Sequence, residues 1–170
     1  NDIYVSQTLL DHQGKEIPVD KYIQQMMVSD QRCFLVNGSG GEGKSMLSTA
    51  VTSKLSDNQF LSEQWLENIL VKKIDINTIP ENISRDNLLN ELFLQNSDKQ
   101  ILLVFDGLDE KNGLKVKELQ DFIIQSDRED VKFLLLSRYF DGEFVEKIGG
   151  DKIVGLRRFD QSDIEEFVQK

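Results

Sequence analysis

Four residues set the chemistry open to this chain: Gly38, Gly43, Lys44 and Ser45, within the run CFLVNGSGGEGKSML at residues 33–47. Their spacing is G-x-x-x-x-G-K-[ST], the pattern of a phosphate-binding loop. Glycines let the backbone curl until successive N–H groups converge on an anion, where side chains would obstruct it. A helix that starts just after such a loop aims its positive end at the same point. Lys44 supplies a mobile charge for β- and γ-phosphates, and the Ser45 hydroxyl is a ligand for Mg²⁺. The candidate nucleotide-binding set is Gly38, Ser39, Gly40, Gly41, Glu42, Gly43, Lys44, Ser45 and Met46. Glu42 is the odd member, because a carboxylate turned inward would repel phosphate. Its side chain is expected to face solvent, with contact to a partner or a moving domain as the alternative.

A loop of this kind needs a carboxylate across from it to hold the metal. ILLVFDGLDE, residues 101–110, places Asp106 at the end of an apolar run, 62 residues after Lys44. In an open parallel sheet, ligands sit at the carboxyl ends of the strands. Asp106 is therefore expected to bind Mg²⁺, through water, beside Ser45. Asp109 and Glu110 add two acids, either of which could orient or deprotonate an attacking water. They could equally cap the next helix or stay solvated, and spacing does not separate them. The run KFLLLSRYF then brings Ser137 and Arg138 to the end of another apolar segment. Arg138 would sit level with the phosphate edge, where a guanidinium can read a γ-phosphate bidentately; a surface arginine after a strand is the plainer alternative.

The elements that must position these residues follow from hydrophobic pattern. Short apolar runs at 33–36, 101–105 and 131–136 read as buried strands, with 69–76 and 152–156 as two more. Helical spacing appears at Ile23, Met26 and Met27. It recurs at Met46, Leu47, Ala50, Val51 and Leu55, and again at Val116, Leu119, Phe122 and Ile123. Ser84 can cap a helix that buries Leu88, Leu89, Leu92 and Phe93, and Ser162 with Glu165 has capping-box spacing. Strands alternating with helices mean a parallel sheet with helices on both faces, an α/β fold. Pro18 and Pro80 both fall between elements, and residues 11–16 read as a turn.

Composition narrows the partners. At 170 residues the chain can bury one core. A net charge of −10 argues against a surface built for non-specific nucleic-acid binding, which needs clustered Lys and Arg. No apolar run reaches the roughly 20 residues of a membrane span. Cys33, the only cysteine, excludes intrachain disulfides and cysteine metal clusters, and fits a reducing cytoplasm as a buried thiol. His12, the only histidine, has no second histidine with which to share a metal. The start on Asn1 and the close on IEEFVQK, inside a helical pattern, lead to the expectation of a segment from a longer protein.

With the three motifs assembled, the chain resembles the NACHT-type NTPases of the STAND group of signal-transduction ATPases, over residues 33–167 above all. The second motif carries the most specificity, with a small residue, Gly107, after the metal-binding Asp106 and a distal acidic pair, Asp109-Glu110. Ser137-Arg138 resembles the family's sensor position. Leu156-x-x-Phe159 followed by DQSDIEEF resembles the passage into its helical domain, and Tyr4-Val5 its adenine-lining segment.

The resemblance implies a three-layer αβα P-loop NTPase of the ASCE division, with a mainly parallel five-stranded sheet and an extra strand between the loop strand and the Asp106 strand. Residues 1–30 would lead into a core at 31–158, and 159–170 would begin the helical domain. It also implies ATP and ADP with Mg²⁺, Asp109, Glu110 and Arg138 as catalytic candidates, and Ser45 and Asp106 at the metal. The implied partners are the protein's own downstream helical, winged-helix and sensor domains and an ATP-dependent homo-oligomer. Met46 departs from the pattern, standing where the family often has a hydroxyl residue, and Glu42 is unusual there. Without the clamping domains, the segment alone is expected to bind nucleotide weakly and turn it over more weakly still. Two functions remain in view: a slow regulatory ATPase switch, and an AAA+-like mechanical ATPase that acts on protein or DNA. A metabolite kinase ranks below both, since nothing resembles an arginine-rich lid, and a degenerate module that only holds nucleotide stands last.

Overall fold

The computed structural model describes residues 8–38, 41–75, 99–107, 113–125, 130–149 and 153–156. Among the described residues, seven strands form one sheet: β1 (Thr8–Leu10), β2 (Glu16–Pro18), β3 (Cys33–Asn37), β4 (Ile69–Asp75), β5 (Gln100–Asp106), β6 (Val131–Ser137) and β7 (Ile153–Leu156). Their order is β2-β1-β7-β3-β6-β5-β4. The five strands from β7 to β4 run parallel, so all of them end on the same edge. β6 lies between the loop strand β3 and the Asp106 strand β5, which is the insertion expected from the family resemblance.

The core follows from strand periodicity. β5 and β6 are apolar along almost their whole length, and successive side chains leave a strand on opposite faces. On one face Phe34, Val36, Leu102, Val104, Leu134 and Leu136 pack with three helices: α1 (Val19–Val28), α2 (Gly41–Leu55) and α3 (Asn58–Glu63). On the other, Leu35, Leu103, Phe105, Phe133 and Leu135 pack with α4 (Gly113–Gln125) and α5 (Gly142–Ile148). A sheet buried on both faces needs helices on both, and the result is the three-layer αβα arrangement. In α1 the residues Tyr22, Ile23, Met26 and Met27 turn inward together, so both methionines are core residues.

The described residues add two strands to the five expected. The additional pair is an antiparallel hairpin whose strand β1 adds to the free edge of β7. Its turn is stabilised locally: Asp11 Oδ1 accepts from the N–H groups of Gln13 and Lys15, each at 2.8 Å, and Gly14 takes φ +80°. Leu9, fully buried, anchors it to the core. Two short helices also went unread from the pattern. α3 spans less than two turns and is capped by Asp57, whose carboxylate accepts from Gln59 N at 3.0 Å. α5 buries only Phe144 and Ile148. The expected helix after Ser84 and the terminal helix from Ser162 lie outside the described residues.

Candidate functional site

The parallel strands deliver their last residues to one edge in matched register. Asn37 is level with Ser137 and Gly155, and Asp106 with Leu136 and Asp75. The chain leaves β3 through Gly38 and enters α2 at Gly41, so the helix begins over this edge, in the strand–loop–helix context the glycine pattern requires.

Lys44, within the first turns of α2, is 1% exposed. A buried lysine is rare unless a partner compensates its charge, and here it lies next to Ser45 at the mouth of the sheet. Ser45 is itself exposed, and its Oγ donates to Asp106 Oδ2 at 3.3 Å. That contact joins α2 to β5 although β6 separates the two strands concerned. A hydroxyl and a carboxylate facing each other form an all-oxygen set, the donor chemistry of a hard divalent cation. The residues present therefore fit Mg²⁺. Directly after Asp106 the backbone of Gly107 takes φ +79°, a left-handed turn that lets the chain leave β5 at once.

The third part of the site is the end of β6. The Gly38 N–H donates to the Ser137 carbonyl at 3.1 Å, which fixes the start of the glycine loop to this strand. The Ser137 hydroxyl donates to the Tyr139 carbonyl at 2.7 Å, across the intervening Arg138. Ser137 is buried, whereas Arg138 is exposed beside it.

Of the residues singled out from sequence, the structure brings together Gly38, Lys44, Ser45, Asp106 and Arg138 on one edge. Gly41, Glu42 and Gly43 also lie in α2. Ser39, Gly40, Asp109 and Glu110 lie outside the described residues, as do Tyr4-Val5 and Phe159. Met46 needs correction, because it is 42% exposed while Leu47, Val51 and Leu55 form the buried stripe of α2. It follows Ser45 on the open side of the helix rather than continuing that stripe. The double connection of Ser137 escaped the sequence reading. Its only signal was a small hydroxyl residue closing an otherwise apolar strand.

No protein-family model matches the chain, and no curated protein matches it in sequence. Among solved structures it is similar to PCH-2 of C. elegans, with a TM-score of 0.55 and 15% identity over 89% of this chain and 44% of that one. It is also similar to Cdc6p of Pyrobaculum aerophilum, with a TM-score of 0.53 and 11% identity over 85% of this chain and 44% of that one. The chain thus spans under half the length of either structure. At these identities the likeness concerns the fold alone, a three-layer αβα arrangement around a mainly parallel sheet. Among the described residues, no helix is long and apolar enough to cross a membrane.

Proposed function

We propose that this chain is the nucleotide-binding domain of a regulatory ATPase of the STAND type, a slow switch within a larger signalling protein. The observation that carries the reading is the 3.3 Å contact between Ser45 and Asp106, with buried Lys44 adjacent. Ser45 and Asp106 would hold Mg²⁺, and Lys44 would neutralise the β- and γ-phosphates. Mg²⁺, when bound, supplies charge neutralisation at the phosphate oxygens. Arg138 stabilises charge that develops on the terminal phosphoryl group, and one acid of the pair Asp109 and Glu110 orients or deprotonates the attacking water. In this reading residues 31–158 form the core, 159–170 open a helical domain, and the ATP-loaded protein assembles with further copies of itself in the cytoplasm.

The test is nucleotide affinity. Lys44→Ala is expected to weaken Mg·ATP and ADP binding at least tenfold, about 1.4 kcal/mol, as measured by titration with a fluorescent analogue. Unchanged affinity would remove the assignment. A second reading, an AAA+-like mechanical ATPase, uses the same residues, and the fold shared with PCH-2 and Cdc6p supports it equally. The two part on polymer response. A mechanical ATPase turns over faster when DNA or unfolded protein is added, whereas the switch does not.

A further inference from the structure

We propose that Ser137 is a positioning residue that locks Arg138 to the start of the phosphate loop. The inference rests on the ATPase reading above and deepens it.

β6 is flanked by β3, which feeds the glycine loop, and by β5, which ends in Asp106. The end of β6 is therefore the one point on the described edge that borders both halves of the site. Ser137 is 1% exposed there and uses two separate groups. Its carbonyl accepts the Gly38 N–H at 3.1 Å, so the first loop residue is registered against it. Its hydroxyl donates to the Tyr139 carbonyl at 2.7 Å, which closes a short turn around Arg138. Hydroxyl-to-backbone bonds of this span hold a local turn in place of a further ladder pair. The backbone that carries Arg138 is thereby clamped from both sides, and its reference point is the loop that receives the phosphates.

This division between two groups makes the role separable. Ser137→Ala keeps the carbonyl and its bond to Gly38, and removes the hydroxyl bond that closes the turn around Arg138. Tyr139 is 70% exposed, so its released carbonyl can be hydrated and the fold should tolerate the change. A guanidinium that must meet charge developing in the transition state loses much of its effect when its position loosens by about an ångström. Binding of the ground-state nucleotide, held by the loop and Lys44, should be unaffected.

Single-turnover hydrolysis of Mg·ATP and the nucleotide Kd are measured for the wild type, Ser137→Ala, Ser137→Thr, Arg138→Ala and the Ser137→Ala/Arg138→Ala double variant. The expected result is a roughly tenfold slower rate in Ser137→Ala with Kd within about twofold. Ser137→Thr, which keeps the hydroxyl, recovers the rate. The double variant is no slower than Arg138→Ala alone, because a mislaid arginine and an absent one are equivalent. A wild-type rate in Ser137→Ala overturns the proposal. So does a loss of affinity like that expected for Lys44→Ala, failure of the threonine to rescue, or rate losses that multiply in the double variant. No hydrolysis by the wild type, together with unchanged affinity in Lys44→Ala, removes the ATPase reading itself and this inference with it.

Discussion

Ser45 Oγ and Asp106 Oδ2 lie 3.3 Å apart, one on the helix that follows the glycine loop and the other at the tip of a strand two places away in the sheet. A hydroxyl this close to a carboxylate gains a charge-assisted hydrogen bond, yet both groups stay at the open edge, accessible to an incoming cation. The pair can therefore exchange its mutual bond for a shared metal without moving the elements that carry it.

Replacing either member should change metal dependence more than shape. Asp106→Asn keeps the volume and can still meet Ser45, but it removes the negative charge. The stimulation of ATP binding by Mg²⁺ is expected to fall about 10–100-fold in Asp106→Asn, and in Ser45→Ala to a similar extent. Binding in the presence of a chelator should remain near the wild-type value. Calorimetric titration with and without Mg²⁺ gives both quantities. An undiminished Mg²⁺ effect in both variants would place the metal elsewhere.

Much of this edge was legible from sequence because its residues are chemically constrained twice over. β5 and β6 must be apolar to be buried on both faces, and the polar residues that end them, Asp106 and Ser137-Arg138, stand out by contrast. Of the hairpin only the turn at residues 11–16 was legible, and its two strands were not. Its strands are three residues long, and Leu9 is its only buried residue, too little to generate a period. Met46 misled because it stands at helical spacing from Ala50, beside the stripe of Leu47 and Val51, although a helix residue next to Ser45 on the site side has no sheet to pack against. Lys132 is the sharpest case. Within a run of apolar residues it gives no signal of where its amine goes, since that depends on a helix more than 100 residues away in sequence.

The destination of that amine makes a stability prediction. Lys132 is 3% exposed, and its Nζ donates to the carbonyls of Met26 at 2.8 Å, Met27 at 3.1 Å and Ser29. These are the last carbonyls of α1 and its cap, groups that a helix leaves without intrahelical partners. The ammonium also lies 5.7 Å from the Phe34 ring centroid. All three donors are thus used, and a cation sits at the negative end of the helix dipole. Burial lowers the lysine's pKa while Asp30 opposes the shift. Lys132→Met retains the aliphatic bulk but strips three carbonyls of their donor. The expected loss is on the order of 2 kcal/mol, read as a lower urea midpoint with unchanged m. A neutral outcome would mean that the end of α1 finds other donors.

Cys33 supplies a pH dependence that can be checked by difference. The thiol opens β3 and is buried against the α4–α5 face, and burial pushes its pKa up to about 11 from an ordinary 9.0, with Arg32 opposing. Between those values the unfolded chain loses its thiol proton while the folded chain keeps it. The unfolded state then binds fewer protons, so stability falls as pH rises. The contribution is fully present below pH 9 and shrinks by about 1 kcal/mol by pH 10. Tyr22 is also pushed up by burial, from 10.0, but it is present in both proteins and cancels in the difference, which isolates the cysteine. Chemical denaturation at steps from about pH 8 to 10 should show a wild-type decline that is shallower in Cys33→Ala. Lysine contributions are common to both proteins and cancel in the comparison. Parallel declines would mean that the thiol titrates alike in both states and that the start of β3 admits water.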